Sequence, residues 1–356
     1  MGIMLLDNIV RVQSRSTAEL TAEELGRLFG PLSGSETVKE YKREHRPKGG
    51  AAVYDIVSML LLYFLMECRR QTYRGITKLI TAEEALSLGF PMKDGGVRVP
   101  GASTLNEFVN KALMPKLRDG LSREFGAYFI KTSEEGIMTA DSTPNEASPK
   151  DLSADFNVHY NTRMYKTHMI MTDGMPVCMS FTKGNAGDNP RLHSLLTECA
   201  GMGAGRNNTS VFMADGGYDA FGSFADVWEL IGVRPVIGTD SGSVYHEEAS
   251  PEGIDKAVNR LWRKGGHKNM TMPQKLGLLY RNGKKELAGK FLRNMALTDP
   301  VRDIRLRDRK ICEIAHSAMK QWVDFSVRGI RIKNREGMIG CRFLCIQALC
   351  ALFVRK

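Results

Sequence analysis

Residues 165–181 read YKTHMIMTDGMPVCMSF, two apolar runs separated by Thr172, Asp173 and Gly174. Two such runs around a tight turn, with Gly supplying positive φ, are the signature of a β-hairpin. Upstream, GIMTA (136–140) is another short apolar run bounded by turn residues, and TSVFMA (209–214) and VRPVIG (233–238) repeat the pattern downstream. Helical patterns fill the intervals at Pro190–Ala200 and Phe221–Ile231. An antiparallel pair followed by strand, helix, strand, helix, strand predicts an α/β fold, a mixed five-stranded sheet flanked by helices.

Outward from the sheet the text is helical. The first 130 residues read as helices over about 17–46, with Thr17 and Thr21 as candidate caps, then Val53–Cys68, Tyr73–Ala85, and PGASTLNEFVNKAL (100–113), where Ser103 or Thr104 caps. Gly49 and Gly50 after Pro47 mark a hinge, and a Gly-rich loop lies at Asp94–Gly96. From Gly238 to about Asp299 the strand signal lapses into polar, basic, helix-tending sequence that reads as an insertion. Two helices follow, Ile304–Phe325 and Gly337–Val354, the second apolar on nearly every face and expected to pack on the sheet. The division is therefore a helical N-terminal domain (1–130), the first part of the α/β core (131–239), a basic insertion (240–299) and the core's C-terminal helices (300–356).

The length of 356 residues fits two or three domains. Hydrophobic residues at 42% and charged residues at 25% exclude a disordered chain and a fibrous repeat. The formal charge of +10 suits a polyanionic partner, and it is concentrated. Residues 254–356 hold 24 Lys and Arg against 8 Asp and Glu, whereas the first 253 hold 26 against 32, so the last third reads as an electrostatic footprint for phosphate. Seven cysteines without a CxxC pair read as reduced thiols, and Cys341 and Cys345 have no His or second pair in register to make a zinc site. The longest apolar run, Ile56–Met66, is too short to span a bilayer. The start, MGIMLLDNIVRVQSR, lacks a basic opening and a small-residue cleavage site, so a cytoplasmic protein is expected.

Three acids stand out. Asp141 closes the first strand run in ADSTP (140–144), and Asp215 closes another in ADGGYDA (214–220), where Gly216 and Gly217 permit close approach of a ligand. Taken singly, each is equally a cap or turn former. Taken together, carboxylates at the ends of neighbouring strands can face one crevice, the oxygen-rich setting that hard divalent cations select. Glu313, in RDRKICEIAHSAMK (307–320), follows Arg309 by four residues and precedes Lys320 by seven, so all three share roughly one helix face. Spacing alone reads Arg309 and Glu313 as an ordinary i,i+4 surface pair.

The ordered set of ADSTP, ADGGYDA and Arg309-x3-Glu313-x6-Lys320 resembles the acidic triad of DDE-type insertion-sequence transposases of bacteria and archaea, which have an RNase H-like catalytic core. FTKGNAGDNPRL (181–192) is similar to the family's Gly-Asn link followed three residues later by Asp, and PGASTLNEF (100–108) to the segment that precedes its catalytic domain. The resemblance covers about residues 50–350. It departs at Leu306, where the family has Tyr, and at Gly216, where a basic residue is usual. It implies that Asp141, Asp215 and Glu313 bind two divalent ions, Mg²⁺ or Mn²⁺, for cutting DNA at transposon ends and joining the 3′-hydroxyls to target DNA. It also implies a homodimer or higher oligomer on DNA, associated there with the nucleoid, and an N-terminal domain that binds ends or dimerises. Arg309 and Lys320 then contact phosphate, and Trp322 is a candidate for stacking on a base, with core packing as its alternative. Asp188 reads as a helix cap, Asp219 as a turn residue near enough to compete for metal, His168 as a residue of the core, and His316 as a support for Glu313. Lys264, Lys268, Lys284, Lys285 and Lys290 read as solvated or DNA-facing surface. Two other functions fit the same residues: a transposase-derived DNA-binding protein without catalysis, and an RNase H-like nuclease without strand transfer.

Overall fold

A computed structural model describes residues 20–45, 54–239, 243–261, 269–327 and 334–354. Thr17, the hinge at Gly49 and Gly50, Lys264 and Lys268 lie outside the described residues. The chain forms two compact units: unit 1 comprises residues 1–128, 144–165 and 314–356, and unit 2 comprises residues 129–143 and 166–313.

Unit 1 is built on local helix signals. Thr21 caps the helix Ala22–Gly26 through a capping box with Glu24, as its spacing predicts. The helical stretch then breaks at Leu28 and at Ser35, giving Phe29–Gly34 and Glu36–Glu44, and Ser35 caps the latter by accepting from Val38 N. Asp55 caps the helix Ile56–Cys68, nearly every residue of which is buried. The expected helix over Tyr73–Ala85 is two, Tyr73–Leu79 and Ala82–Ser87, because Thr81 forms its own capping box with Glu84. The Gly-rich loop is the turn of a small hairpin, β1 (Met92–Lys93) with β2 (Gly96–Val97). Gly101, rather than Ser103 or Thr104, stands at the N-cap of Ala102–Phe108. The last helix, Arg335–Val354, touches the sheet through Arg335, which bonds to Tyr165, and otherwise meets helices. Arg342 Nε donates to Glu67 Oε2 at 3.0 Å, and Gln347 Nε2 donates to the Ser122 carbonyl at 3.2 Å.

The main sheet contains six strands, one more than expected. These are β3 (Ile137–Glu146), β4 (Asp155–Asn157), β5 (Thr162–Thr172), β6 (Met175–Lys183), β7 (Val211–Ala214) and β8 (Pro235–Ile237). Their order is β4-β5-β3-β7-β8, with β6 also paired to β5. The addition is β4, three residues lying antiparallel on β5, too short for a sequence pattern to announce. β3, β7 and β8 run parallel, so the sheet is mixed. Asp173 and Gly174, at φ of 47° and 76°, make the two-residue turn between β5 and β6, the left-handed pair that a tight hairpin requires. The Asp173 carboxylate also accepts from the backbone N–H groups of Glu134, Glu135 and Ile137 and from the Ser133 hydroxyl, securing the entry to β3.

The core of unit 2 lies against the helix Asn189–Gly201 and the stretch Phe221–Ile231, α-helical to Asp226 and then a π-turn. The described helices of the basic stretch 240–299 pack on this core. Pro251–Leu261, Met272–Arg281 and Lys285–Leu297 contribute Ile254, Val258, Leu276, Leu279, Phe291 and Leu292 to it. Lys285 pairs with buried Asp226 at 2.6 Å, and Lys290 pairs with Glu248 and Glu286, both at 3.1 Å. The described cysteines are free and buried, with Cys178 and Cys199 Sγ atoms 3.4 Å apart. Among the described residues no helix is long and apolar enough to cross a membrane.

The Asp173 carboxylate satisfies backbone donors that no neighbour replaces. Asp173→Ala should lower stability by about 1–3 kcal/mol, read as an earlier urea midpoint with an unchanged slope.

Candidate functional site

The parallel ladder of β3 and β7 aligns Ile137 with Val211 and ends at the pair Ala140 and Ala214. Asp141 and Asp215 are the next residues on each strand, so they emerge at one level of adjacent parallel strands, which stand about 4.8 Å apart. β3 does not stop at Asp141, as its Ser-Thr-Pro sequel suggested, but continues to Glu146. Asp215 does leave its strand. Its Oδ1 accepts from Gly217 N at 2.9 Å and caps the 3₁₀ turn Gly216–Tyr218, so the turn role and an outward-facing role coexist in one side chain.

Asp141 is 9% exposed. Burial pushes its carboxyl above the usual range; a hydrogen bond from Ser142 N and the charge of Arg309 act against this, and Glu313 and Asp188 add to it. Asp215 is raised likewise, first by burial and then by the charge of Asp141, with Arg309 opposing. Each desolvated carboxylate is thus raised further by neighbouring acids, a pattern that an added cation relieves. Glu313 and Arg309 are the charges the C-terminal part of unit 2 brings to them. Arg309 stands in a turn between the helices Arg302–Asp308 and Lys310–Trp322, where one continuous helix was expected. Its Nη2 donates to Glu313 Oε1 at 2.8 Å, and the Glu313 side chain is 54% exposed. The surface i,i+4 pair is real, therefore, and belongs to the same electrostatic neighbourhood as Asp141.

Other assignments change. Asp188 stands at the N-cap that its sequence position predicts, yet its side chain makes no capping bond. Its Oδ1 instead receives Lys166 Nζ at 3.1 Å and lies 3.0 Å from His168 Nδ1. Burial alone would raise this carboxyl, but the bonds from His168 and Lys166 hold it below the usual range. Asp219 is not placed to compete for a metal, because Arg293 grips both its oxygens at 2.7 Å. Arg293 comes from the helix Lys285–Leu297 and fixes the end of the turn that carries Asp215; no sequence signal distinguishes it from the surrounding surface cations. Lys320 is exposed in unit 1. Trp322, also in unit 1, is 2% exposed, which favours the core-packing alternative and leaves no ring face for a base. The His316 side chain lies outside the described residues.

Asp141 and Asp215 fit a divalent cation in donor type and in charge, as buried oxygens with mutually unfavourable negative charge. Among the described residues, no three ligands are drawn together tightly enough to enclose an ion as they stand.

Residues 132–347 match the family model of the transposase DDE domain. The chain belongs to that family. No curated protein matches it significantly. The RNase H-like fold that the family implies accords with the mixed sheet flanked by helices.

Because the carboxyls of Asp141 and Asp215 are raised in the folded state, the stability they contribute is complete below their unfolded values and is lost as pH rises through the raised ones. In chelator, Asp141→Asn should therefore gain melting temperature relative to the wild type as pH goes from about 4 to about 7. A difference that stays flat over that span would contradict the cause assigned here.

Proposed function

We propose that the chain cuts DNA at insertion-sequence ends and joins the freed 3′-hydroxyls to target DNA, with Asp141, Asp215 and Glu313 as the catalytic acids. The observation that carries this reading is the register of β3 and β7, which sets Asp141 beside Asp215 in a chain of the transposase DDE family. Asp141 and Asp215 would hold divalent ions, Mg²⁺ or Mn²⁺, and Glu313 would join them by releasing Arg309, a movement open to an exposed side chain. A pair of such ions, when bound, activates the attacking oxygen and stabilises the departing one.

The chain's own groups supply the rest. Burial of Asp141 keeps bulk water from its carboxylate, which strengthens its hold on a cation. Arg293 fixes Asp219 and with it the turn from which Asp215 projects. Arg309, released from Glu313, and Lys320 are assigned to phosphate oxygens, where Arg offers a fork and Lys a point charge. Joining two ends on one target calls for at least a dimer on DNA.

The purified protein, given Mg²⁺ and a duplex carrying the inverted repeats that flank its coding region, should nick at the repeat ends and join them to a second duplex. Asp215→Ala should reduce both steps at least a hundredfold, on the order of the loss when one electrostatic stabiliser is removed from an active site. Full activity in Asp215→Ala overturns the assignment. Binding without nicking under any divalent ion identifies a transposase-derived DNA-binding protein, and nicking without joined product identifies a nuclease.

A further inference from the structure

Asp188 occupies the N-cap position of Asn189–Gly201, the commonest reason to find Asp there, and its side chain does not cap. It is turned toward the sheet. Lys166 and His168 are two apart on β5 and so project to one face, and both converge on Oδ1. His168 is fully buried and is held from its other side by the Thr182 hydroxyl, 2.8 Å from Nε2. Nδ1 faces Asp188 Oδ1 at 3.0 Å as a charge contact without hydrogen-bond geometry, while Lys166 Nζ donates to the same oxygen. Lys166 and the fully buried His168 ring thereby confine one carboxylate oxygen and, through the planar group, the direction of the other.

The direction of Oδ2 is readable at Gly217. A Cβ placed on Gly217 would lie 2.8 Å from Asp188 Oδ2 and 3.0 Å from Asp215 Oδ1. The two oxygens therefore border the same small space. Gly217 does not adopt the left-handed conformation that favours glycine, so its lack of a side chain serves the space rather than the backbone. Anchoring a helix end to a strand needs no second oxygen facing an exposed glycine beside Asp215.

We propose that Asp188 is a positioning residue of the DDE site, set by Lys166 and His168 so that its Oδ2 and Asp215 Oδ1 together orient the water shell of a divalent cation over Gly217. This rests on the reading of Asp141 and Asp215 as cation-holding residues. Oriented outer oxygens of this kind typically alter metal affinity by 10- to 100-fold.

Titration of the full-length protein with Mn²⁺ in a calorimeter, without DNA, tests it. Asp188→Asn keeps the volume and an oxygen for Lys166 and His168. It should retain cooperative melting in chelator while weakening Mn²⁺ binding about tenfold, and nicking should need correspondingly more Mn²⁺ and recover at saturation. Gly217→Ala should weaken binding in the same direction, and Lys166→Met, which frees Asp188 without touching Asp215, should weaken it as well and decides the matter if Asp188→Asn does not fold. Unchanged Mn²⁺ affinity in the folded variants, with binding lost in Asp215→Asn, overturns the role of Asp188 and leaves the DDE reading standing. Wild-type protein that binds no Mn²⁺, or Asp215→Asn that binds as tightly as the wild type, overturns both.

Discussion

The pairing of β3 with β7 is the constraint on which the rest depends. Parallel strands in register present equivalent residues at equivalent heights, so the match of Ala140 with Ala214 fixes where the next two side chains stand. Neither Asp141 nor Asp215 need be held by a long-range contact of its own. The small alanines ahead of them keep the strand ends close-packed, and the helices Asn189–Gly201 and Phe221–Asp226 bury the strands. What the surrounding structure adds is control of the turn after β7. Asp215 caps it from within, Arg293 grips Asp219 at its far end, and Gly238 brings the exit of β8 to a position where a Cβ would meet Gly216 N at 2.9 Å.

The legibility of the chain follows from the range of the forces involved. The hairpin at Thr172–Gly174 and the apolar runs of β3, β7 and β8 were readable because turn chemistry and alternating burial leave local marks. The capping boxes of Thr21 and Thr81 are equally local, and the second divided a helix that apolar periodicity alone had joined. Asp141 and Asp215 could be singled out because each follows an apolar run. The role of Asp188 could not, since an acid before Asn-Pro at a helix start is most simply a cap, and only the approach of Lys166 and His168 from β5 shows otherwise. Arg293 is the same case: a cation in a basic stretch whose partner lies 74 residues away. Trp322 failed as a candidate for a related reason, because position along a helix does not say which face the tertiary structure covers.

The basic last third also reads differently beside the contacts. Arg293 is matched to Asp219, Lys285 to Asp226, Lys290 to Glu248 and Glu286, and Arg342 to Glu67. Asp219, Asp226 and Glu67, the buried acids among these partners, come from the acidic first part of the sequence, so the asymmetry of charge along the chain partly encodes which segments pair. A paired, half-buried cation contributes little to a long-range field. The charge of residues 254–356 that could reach a polyanion is accordingly smaller than their summed value.

Arg309 then connects structure and chemistry. Its charge lowers the carboxyls of both Asp141 and Asp215, while it neutralises Glu313 directly. A divalent ion between the two aspartates would perform the first task more strongly, having twice the charge and direct oxygen ligation. The guanidinium would then be less needed there, and Glu313 and Arg309 could separate toward cation and phosphate. On the reading proposed above, the ion pair that is ordinary surface chemistry in the isolated helix would also screen the acids until a cation replaces the guanidinium.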